Sequence, residues 1–436
     1  MKDKLRKSLS LPGLLETLSS SFDKVKEPSS KAKISIKDCL LSGYAVFSMK
    51  YASLLQFDTD SHEDDGVKHN LHSLYGIETI PCDTYMRERL DEVSPAQLRP
   101  AYKALFSLVQ HHKMLEGFEF MEGYYLLLLD GTGEFSSHTV HCENCCMKRH
   151  KNGTVTYYHQ VLSAVIAHPD SKIVLPLCPE PILKQDGRTK NDCERNAAKR
   201  LIQDFRREHP HLKAIVIEDG LASNAPHIKD LKASKLRFIL GAKPDDHKWL
   251  FDWVNAGRAK EHVLTKAKLR HRFRYMNDVP LNDSNSDCRV NFLEYWEEDA
   301  STGKVQQHFS WVTDFHLTEG NVYQLMRGGR ARWKIENETF NTLKNQGYHF
   351  EHNFGHGYKN LNTVLGHLMM LAFLIDQIQQ LCCPLFQAAL KRLKTKLRLW
   401  ETWRRHCVDY LFTTWNEFLR ALAYGIKKSR PIIDTG

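Results

Sequence analysis

Hydrophobic positions follow one rhythm up to about residue 117 and another from Gly123 onward. In the first stretch they recur at helical spacing. Ile36 to Leu55 is a mixed apolar segment long enough for a helix. Asp58 to Gly66 is acidic and polar, and its Asp64-Asp65-Gly66 end predicts a loop. Pro81-Cys82-Asp83-Thr84 precedes a helical Tyr85–Leu90. Ser94-Pro95 then starts another helix through Leu98, Leu105 and Leu108, with Ser as N-cap and Pro at the first helical position.

From Gly123 short unbroken apolar runs predict buried strands. Tyr124 to Leu129 runs straight into Asp130-Gly131-Thr132-Gly133. A polar, hairpin-like region rich in His and Cys follows. Val161–Ala167 and Lys172–Leu177, joined by His168-Pro169-Asp170-Ser171, complete an expected antiparallel meander of three strands. Asn191-Asp192 caps a helix with Ala197, Ala198, Leu201, Ile202 and Phe205 on one face, ending near His209-Pro210. Ala214–Ile217 is another buried-type strand, closing in Glu218-Asp219-Gly220. A short helix from Pro226 to about Leu231 leads to a fifth strand, Leu236–Gly241. The order βββαβαβ predicts an α/β domain with a mixed sheet.

Residues 268–316 alternate again, as in Arg289–Trp296, and predict an added antiparallel β-region. A long helix is expected from about Thr318, containing Arg332-Trp333-Lys334-Ile335-Glu336. From about Asn360 the chain reads as helical and increasingly basic. Five segments follow: a helical N-terminal region (1–117), the first part of a core (118–267), the β-insertion (268–316), a helix completing the core (317–359) and a basic helical C-terminal region (360–436). No internal repeat is visible.

With 436 residues the chain exceeds what one hydrophobic core usually covers. Its 42% hydrophobic and 26% charged residues are those of an ordinary globular protein. The net charge of +9 is concentrated: Leu385 to Gly436 holds eleven Lys/Arg against four Asp/Glu, 11 − 4 = +7. Such an end suits a polyanion, and nucleic acid before other partners, although a solvated helical face has the same composition. The start, Met1-Lys2-Asp3-Lys4-Leu5-Arg6, has no apolar core of a secretory signal behind it. Val364–Ile378 is interrupted by His367 and Asp376, which predicts a buried helix and no membrane partner. Eleven cysteines, an odd number, argue for reduced thiols and a cytoplasmic protein.

The chemistry gathers on carboxylates. Asp130 and Asp219 end two different buried strands, the first and fourth of the βββαβ order, which are expected to be neighbours. An ionised Asp at the edge of a core is costly unless a cation or donor meets it. Taken alone, Asp130 also reads as a turn residue capping a loop. A third carboxylate from a packed helix would complete a site for Mg²⁺, a hard cation that takes a few carboxylates plus water and phosphate oxygens. Two such ions activate an attacking oxygen and stabilise a leaving one.

Asp130, Asp219 and Arg332-Trp333-Lys334-Ile335-Glu336, in that order, resemble the DDE-class insertion-sequence transposases with an RNase H-like core. The similarity is to the cut-and-paste group with a large β-insertion between the second Asp and the Glu. Leu129-Asp130-Gly131-Thr132, Ile217-Glu218-Asp219-Gly220 and Arg332–Glu338 leading to Phe340 and Leu343-Lys344 carry it, over about residues 75–375. The intervals, 219 − 130 = 89 and 336 − 219 = 117, leave room for the insertion.

The resemblance implies that Asp130, Asp219 and Glu336 hold two Mg²⁺ (or Mn²⁺) ions. Water then frees a 3′-hydroxyl at the transposon end, and that hydroxyl attacks the opposite strand or the target. It also implies Arg332 and Lys344 on DNA phosphates, terminal inverted repeats in double-stranded DNA as substrate, and a homodimer holding two ends. The N-terminal helices are the expected end-binding part. The family pattern Tyr-x2-Arg-x3-Glu-x6-Lys is matched incompletely. Gly329 stands at the Tyr position, and Lys344 lies eight residues after Glu336 where the pattern has seven. Glu338 competes with Glu336 for the catalytic place. Arg332 and Glu336, at i and i+4, also fit a surface ion pair. Trp333 fits base stacking at a hairpin intermediate or, more simply, a core position.

Two alternatives accompany this reading. A haloacid-dehalogenase-type phosphatase shares the apolar run before Asp130, but Thr132 stands where that family has its second Asp. The other is a catalytically inactive, transposase-derived DNA-binding protein. A separate cluster, His138, His141, Cys142, Cys145, Cys146, His150 and His159, contains a Cys-x2-Cys pair. Cys142, Cys145 and His150 are therefore candidate ligands of a structural Zn²⁺, with reduced loop cysteines or His–phosphate contacts as the competing readings.

Overall fold

The computed structural model describes residues 7–187 and 190–426. The Met1–Arg6 start and part of the basic C-terminal stretch lie outside the described residues, as do the side chains of Asn191 and Asp192. The fold is mixed α/β and divides into two compact units. The first comprises Met1–Met114, Val140–Cys142 and Asn341–Gly436; the second comprises Leu115–Thr139 and Glu143–Phe340. The expected N- and C-terminal helical regions thus belong to one unit, and the expected 317–359 segment is divided at Phe340.

The first unit is helical. Its core is the helix Leu361–Cys382, in which nearly every residue from Leu361 to Gln379 is buried. That helix is long and apolar enough to cross a membrane, yet 83% of its most apolar window is buried inside the protein. The two polar interruptions have local partners. Asp376 accepts from Lys50 Nζ at 2.7 Å and from the Tyr348 hydroxyl at 2.5 Å, while His367 Nδ1 lies 2.8 Å from the Thr363 carbonyl. The helix start is capped by Asp91, whose carboxylate accepts from the backbone N–H of Tyr358, Lys359, Asn360 and Leu361. Burial pushes that carboxyl up, but the four N–H donors outweigh it and hold it below the usual range.

The acidic stretch Asp58–Gly66 is not the expected loop. Two helices, Leu54–Glu63 and Asp65–Ser73, meet there. The physical reason is capping: Ser53 accepts from the Gln56 N–H and Asp64 from the Val67 N–H at 2.8 Å, so the Asp that looks like a loop residue starts a helix.

The second unit is built on a mixed twelve-stranded sheet. The strands are β1 (Glu119–Met121), β2 (Tyr124–Ser137), β3 (Cys146–Arg149), β4 (Val155–Ala167), β5 (Leu175–Pro176), β6 (Glu180–Ile182), β7 (Ala214–Glu218), β8 (Arg237–Gly241), β9 (Lys260–Lys266), β10 (Leu269–Pro280), β11 (Arg289–Asp299) and β12 (Val305–Thr313). Their order is β3-β4-β2-β7-β8-β12-β11-β10-β9, with β1 beside β2 and with β5 and β6 beside β4. β2 is antiparallel to β4 and parallel to β7, and β7 is parallel to β8.

Of the expected third strand, Lys172–Leu177, only the two-residue β5 forms; β6 follows it and also pairs with β4. The β-insertion is larger than the expected 268–316, since β9 already begins at Lys260. It is an antiparallel meander, and β12 joins it to the edge of β8. Helices Lys190–Glu208 and Ala225–Ala233 are the two connections of the βαβαβ part.

The long helix expected from Thr318 is interrupted. It runs as an α-helix over Val322–Arg330, turns at Ala331-Arg332, and continues as a π-helical segment over Ile335–Phe340. Gly329 explains part of this local geometry. A β-carbon there would lie 2.5 Å from the Trp311 ring, so no larger residue fits while the helix packs so close to β12.

Candidate active site

Parallel pairing of β2 with β7 places Leu128 opposite Ile217. Asp130 and Asp219 each follow two residues later, so both leave the core at one level on neighbouring strands. Asp130 still belongs to β2 and faces Ser163 of β4. Asp219 caps the turn after β7, its Oδ1 accepting from the Leu221 N–H at 2.9 Å. Glu336 comes from the π-helical segment, which packs against β2. π-helical turns are rare and frequent at functional sites, because the extra residue per turn re-aims a side chain.

Electrostatics ties the three together. Asp130 is three-quarters buried, and its carboxyl is pushed up to about 6. Burial is the largest cause. The Arg332 guanidinium opposes it, the Asp219 and Glu336 charges add to it, and the Gly131 N–H donates at 3.0 Å to stabilise the ionised form. Glu336 thus faces Asp130 electrostatically. Glu338 instead lies 4.0 Å from Lys334. Among the described residues no three carboxylates bring their oxygens within 4.8 Å of one another, so no closed Mg²⁺ cage is present.

Arg332 does not pair with Glu336 as the i, i+4 spacing predicts. The turn at Ala331-Arg332 breaks that register, and Nη1 donates to Asp130 Oδ2 at 2.9 Å. Trp333 is 51% exposed, which overturns the core reading of this tryptophan. Lys344 belongs to the first unit, where its Nζ lies 3.5 Å from Glu351.

Further polar residues reach the site without having been singled out in the sequence. A cavity of about 480 Å³, counted to its open mouth, is lined by Asp130, Asp219, Glu194, Arg195, Glu218 and His227 among others. Glu218 is buried, and its Oε2 lies 2.5 Å from His227 Nε2. Burial disfavours the charged imidazole, but the Glu218 carboxylate overcomes it and raises His227 above its ordinary value. Glu194 lies over Gly131, its Oε1 3.2 Å from where a β-carbon would stand. The helical pattern contained this signal: Glu194 precedes Ala197 and Ala198 by three and four residues, on the stripe that faces the sheet.

The cysteines and histidines after β2 pair in both units. In the second, Cys145 Sγ lies 3.3 Å from His159 Nε2, both buried. In the first, His356 hydrogen-bonds Cys142, which with the Gly357 carbonyl raises it against the effect of burial. These Cys and His side chains could bind a metal such as zinc. His150, the ligand expected from spacing, is turned away from them: it sits in the β3–β4 turn with Nε2 2.8 Å from Thr156 Oγ1.

No protein-family model matches the chain, and no curated protein matches it.

Proposed function

We propose that this chain is a DDE-class transposase that cleaves DNA at the ends of an insertion sequence and transfers the freed strand. The observation that carries the reading is the placement of Asp130 and Asp219 at one level on neighbouring parallel strands, with Glu336 acting on the same carboxyl. The sheet order supports an RNase H-like core: β2 is central, with antiparallel β4 on one side and parallel β7, then parallel β8, on the other.

The residues fit divalent cations. Asp130 carries a burial and repulsion cost that a cation relieves, and Arg332, with the Gly131 N–H, supplies part of that relief here. Asp130, Asp219 and Glu336 would hold two Mg²⁺ (or Mn²⁺), which supply activation of the attacking oxygen and stabilisation of the leaving one. Arg332 holds Asp130 until substrate arrives and then neutralises a phosphate near the scissile bond. Trp333 is open to stack on an unpaired base. The substrate is double-stranded DNA, bound as a homodimer in the cytoplasm, with the N-terminal helices on the transposon ends and Lys344 on a further phosphate. A structural Zn²⁺ on Cys145 and His159, with Cys142 of the same Cys-x2-Cys pair, would pin the loop after β2.

A strand-transfer assay with Mg²⁺ and DNA carrying any inverted repeats found on either side of the gene tests this. Cleavage and joining are expected, and both should vanish in Asp130→Ala and Asp219→Ala. Cleavage that survives either substitution refutes the mechanism. DNA binding without cleavage by the wild type would mark an inactive derivative.

A further inference from the structure

The cavity beside Asp130 and Asp219 does not end at the carboxylates. A second groove, about 880 Å³ with its open solvent, adjoins it, and the two share Arg195, Asn224 and His227 as walls. The character of the lining changes across those shared residues. On the inner side stand Asp130, Asp219, Glu194 and Glu218. On the outer side Arg195 and Lys199 stand one helical turn apart on Lys190–Glu208, with Asn196 and Asn224 between and across.

Among the described residues, Asp230 is the one carboxylate in the outer lining, and it lies 3.9 Å from Lys199 Nζ. Arg195 has neither a hydrogen bond nor an ion pair to a described side chain, and it is exposed. An Arg with its guanidinium unspent at the junction of an acidic and a basic hollow is suited to a phosphate oxygen, which a planar fork of donors takes in bidentate fashion. His227 cannot swing away, because Glu218 holds its Nε2.

We propose that this outer groove binds the phosphodiester backbone of the DNA strand that passes through the carboxylate site, with Arg195 and Lys199 as phosphate ligands. The proposal rests on the transposase reading and adds to it the path of the strand. The groove reads no sequence, since cations and amides on phosphates fix register but not bases. It offers two cations at helical spacing, so the contact covers one or two phosphates beside the scissile bond.

The test uses the full chain with Asp130→Asn, so that binding is measured without turnover. The probe is a 30-base-pair duplex of arbitrary sequence, over a series of salt concentrations. Each lost phosphate contact should reduce the slope of log Kobs against log[salt] by about 0.9. Arg195→Gln with Lys199→Gln should therefore flatten it by about 1–2 and weaken binding at low salt. Both residues are exposed, so the thermal midpoint should not move. An unchanged slope overturns the groove and leaves the transposase reading standing. Absence of DNA binding by the parent protein instead counts against that reading itself, and with it the groove. An altered slope in the Asp230→Asn protein in the opposite direction, towards tighter binding, is the matching positive result.

Discussion

Arg332 Nη1 sits 2.9 Å from Asp130 Oδ2, and both side chains are about three-quarters buried. On the proposed reading, this pair occupies the carboxylate a divalent ion would take, so metal would have to compete with a guanidinium for it. Even with that cation beside it, Asp130 is pushed up to about 6, because burial and the Asp219 and Glu336 charges outweigh Arg332.

A stability prediction with a definite sign results. The folded-state value lies above the usual ~3.9 of an unfolded Asp, so the folded protein binds more protons between about pH 4 and 6. Stability from this group therefore falls as pH rises through that window, by on the order of 2–3 kcal/mol. Asp130→Asn should raise Tm at pH 7–8, and the gain should disappear below about pH 4. Mg²⁺ titration should raise the Tm of the wild type and leave Asp130→Asn unmoved. A wild-type Tm indifferent to Mg²⁺ and an Asn variant no more stable at pH 8 would refute the account of a strained carboxylate.

Glu336 and Glu338 can be separated by activity. Glu336 acts on Asp130 and has no ion pair among the described residues, whereas Glu338 has Lys334 within 4.0 Å. Glu336→Gln should reduce Mg²⁺-dependent cleavage by on the order of 10³-fold, since a metal ligand supplies several kcal/mol. Glu338→Gln should retain activity within about tenfold, each tenfold being about 1.4 kcal/mol. Single-turnover rates at saturating Mg²⁺ decide it, and a reversed order would move the third ligand to 338.

Much of this site is readable in the chain because strand ends are local signals. Asp130 and Asp219 each close an apolar run, and the βββαβ order makes their strands neighbours without any knowledge of packing. The β-insertion is visible by alternation, though β9 is not, as Lys260–Lys266 is mostly polar and exposed. What periodicity cannot carry is a change of helical pitch. The pattern from Thr318 to Glu336 reads as one helix, and only tertiary contacts, such as Trp311 against Gly329, decide where it turns and how Arg332 leaves it. Side-chain partners across the sheet escape for the same reason: His227 lies nine residues from Glu218 in sequence, and nothing in either segment names the other.

In the first unit, Lys50 offers a test independent of catalysis. Its ammonium is fully buried, 2.7 Å from Asp376, and lies 4.2 and 4.1 Å from the ring centres of Tyr348 and Trp400. Burial disfavours its charge, and its value is lowered despite Asp376. Lys50→Met leaves Asp376 buried without its cation and should cost about 3–5 kcal/mol in urea unfolding. Adding Asp376→Leu to that variant should recover much of the loss, because the orphaned charge is then gone too. A double variant no more stable than Lys50→Met would show that packing, not charge pairing, sets the cost.

Metal content is decided by the thiols after β2. Cys145 Sγ and His159 Nε2 meet at 3.3 Å inside the second unit, while His150, despite its spacing, is engaged by Thr156. Zinc takes thiolate and neutral imidazole together, and each bound thiol must first lose its proton. Purified wild type is therefore expected to carry one zinc per chain by elemental analysis, with binding that weakens as pH falls. Cys145→Ser and His159→Ala should each lose the metal, Cys142→Ser should weaken it, and His150→Ala should keep it. Chelation should lower the Tm of the wild type and leave that of Cys145→Ser unchanged. Protein purified without stoichiometric zinc, and indifferent to both chelator and Cys145→Ser, would reduce this pair to a buried thiol–imidazole contact.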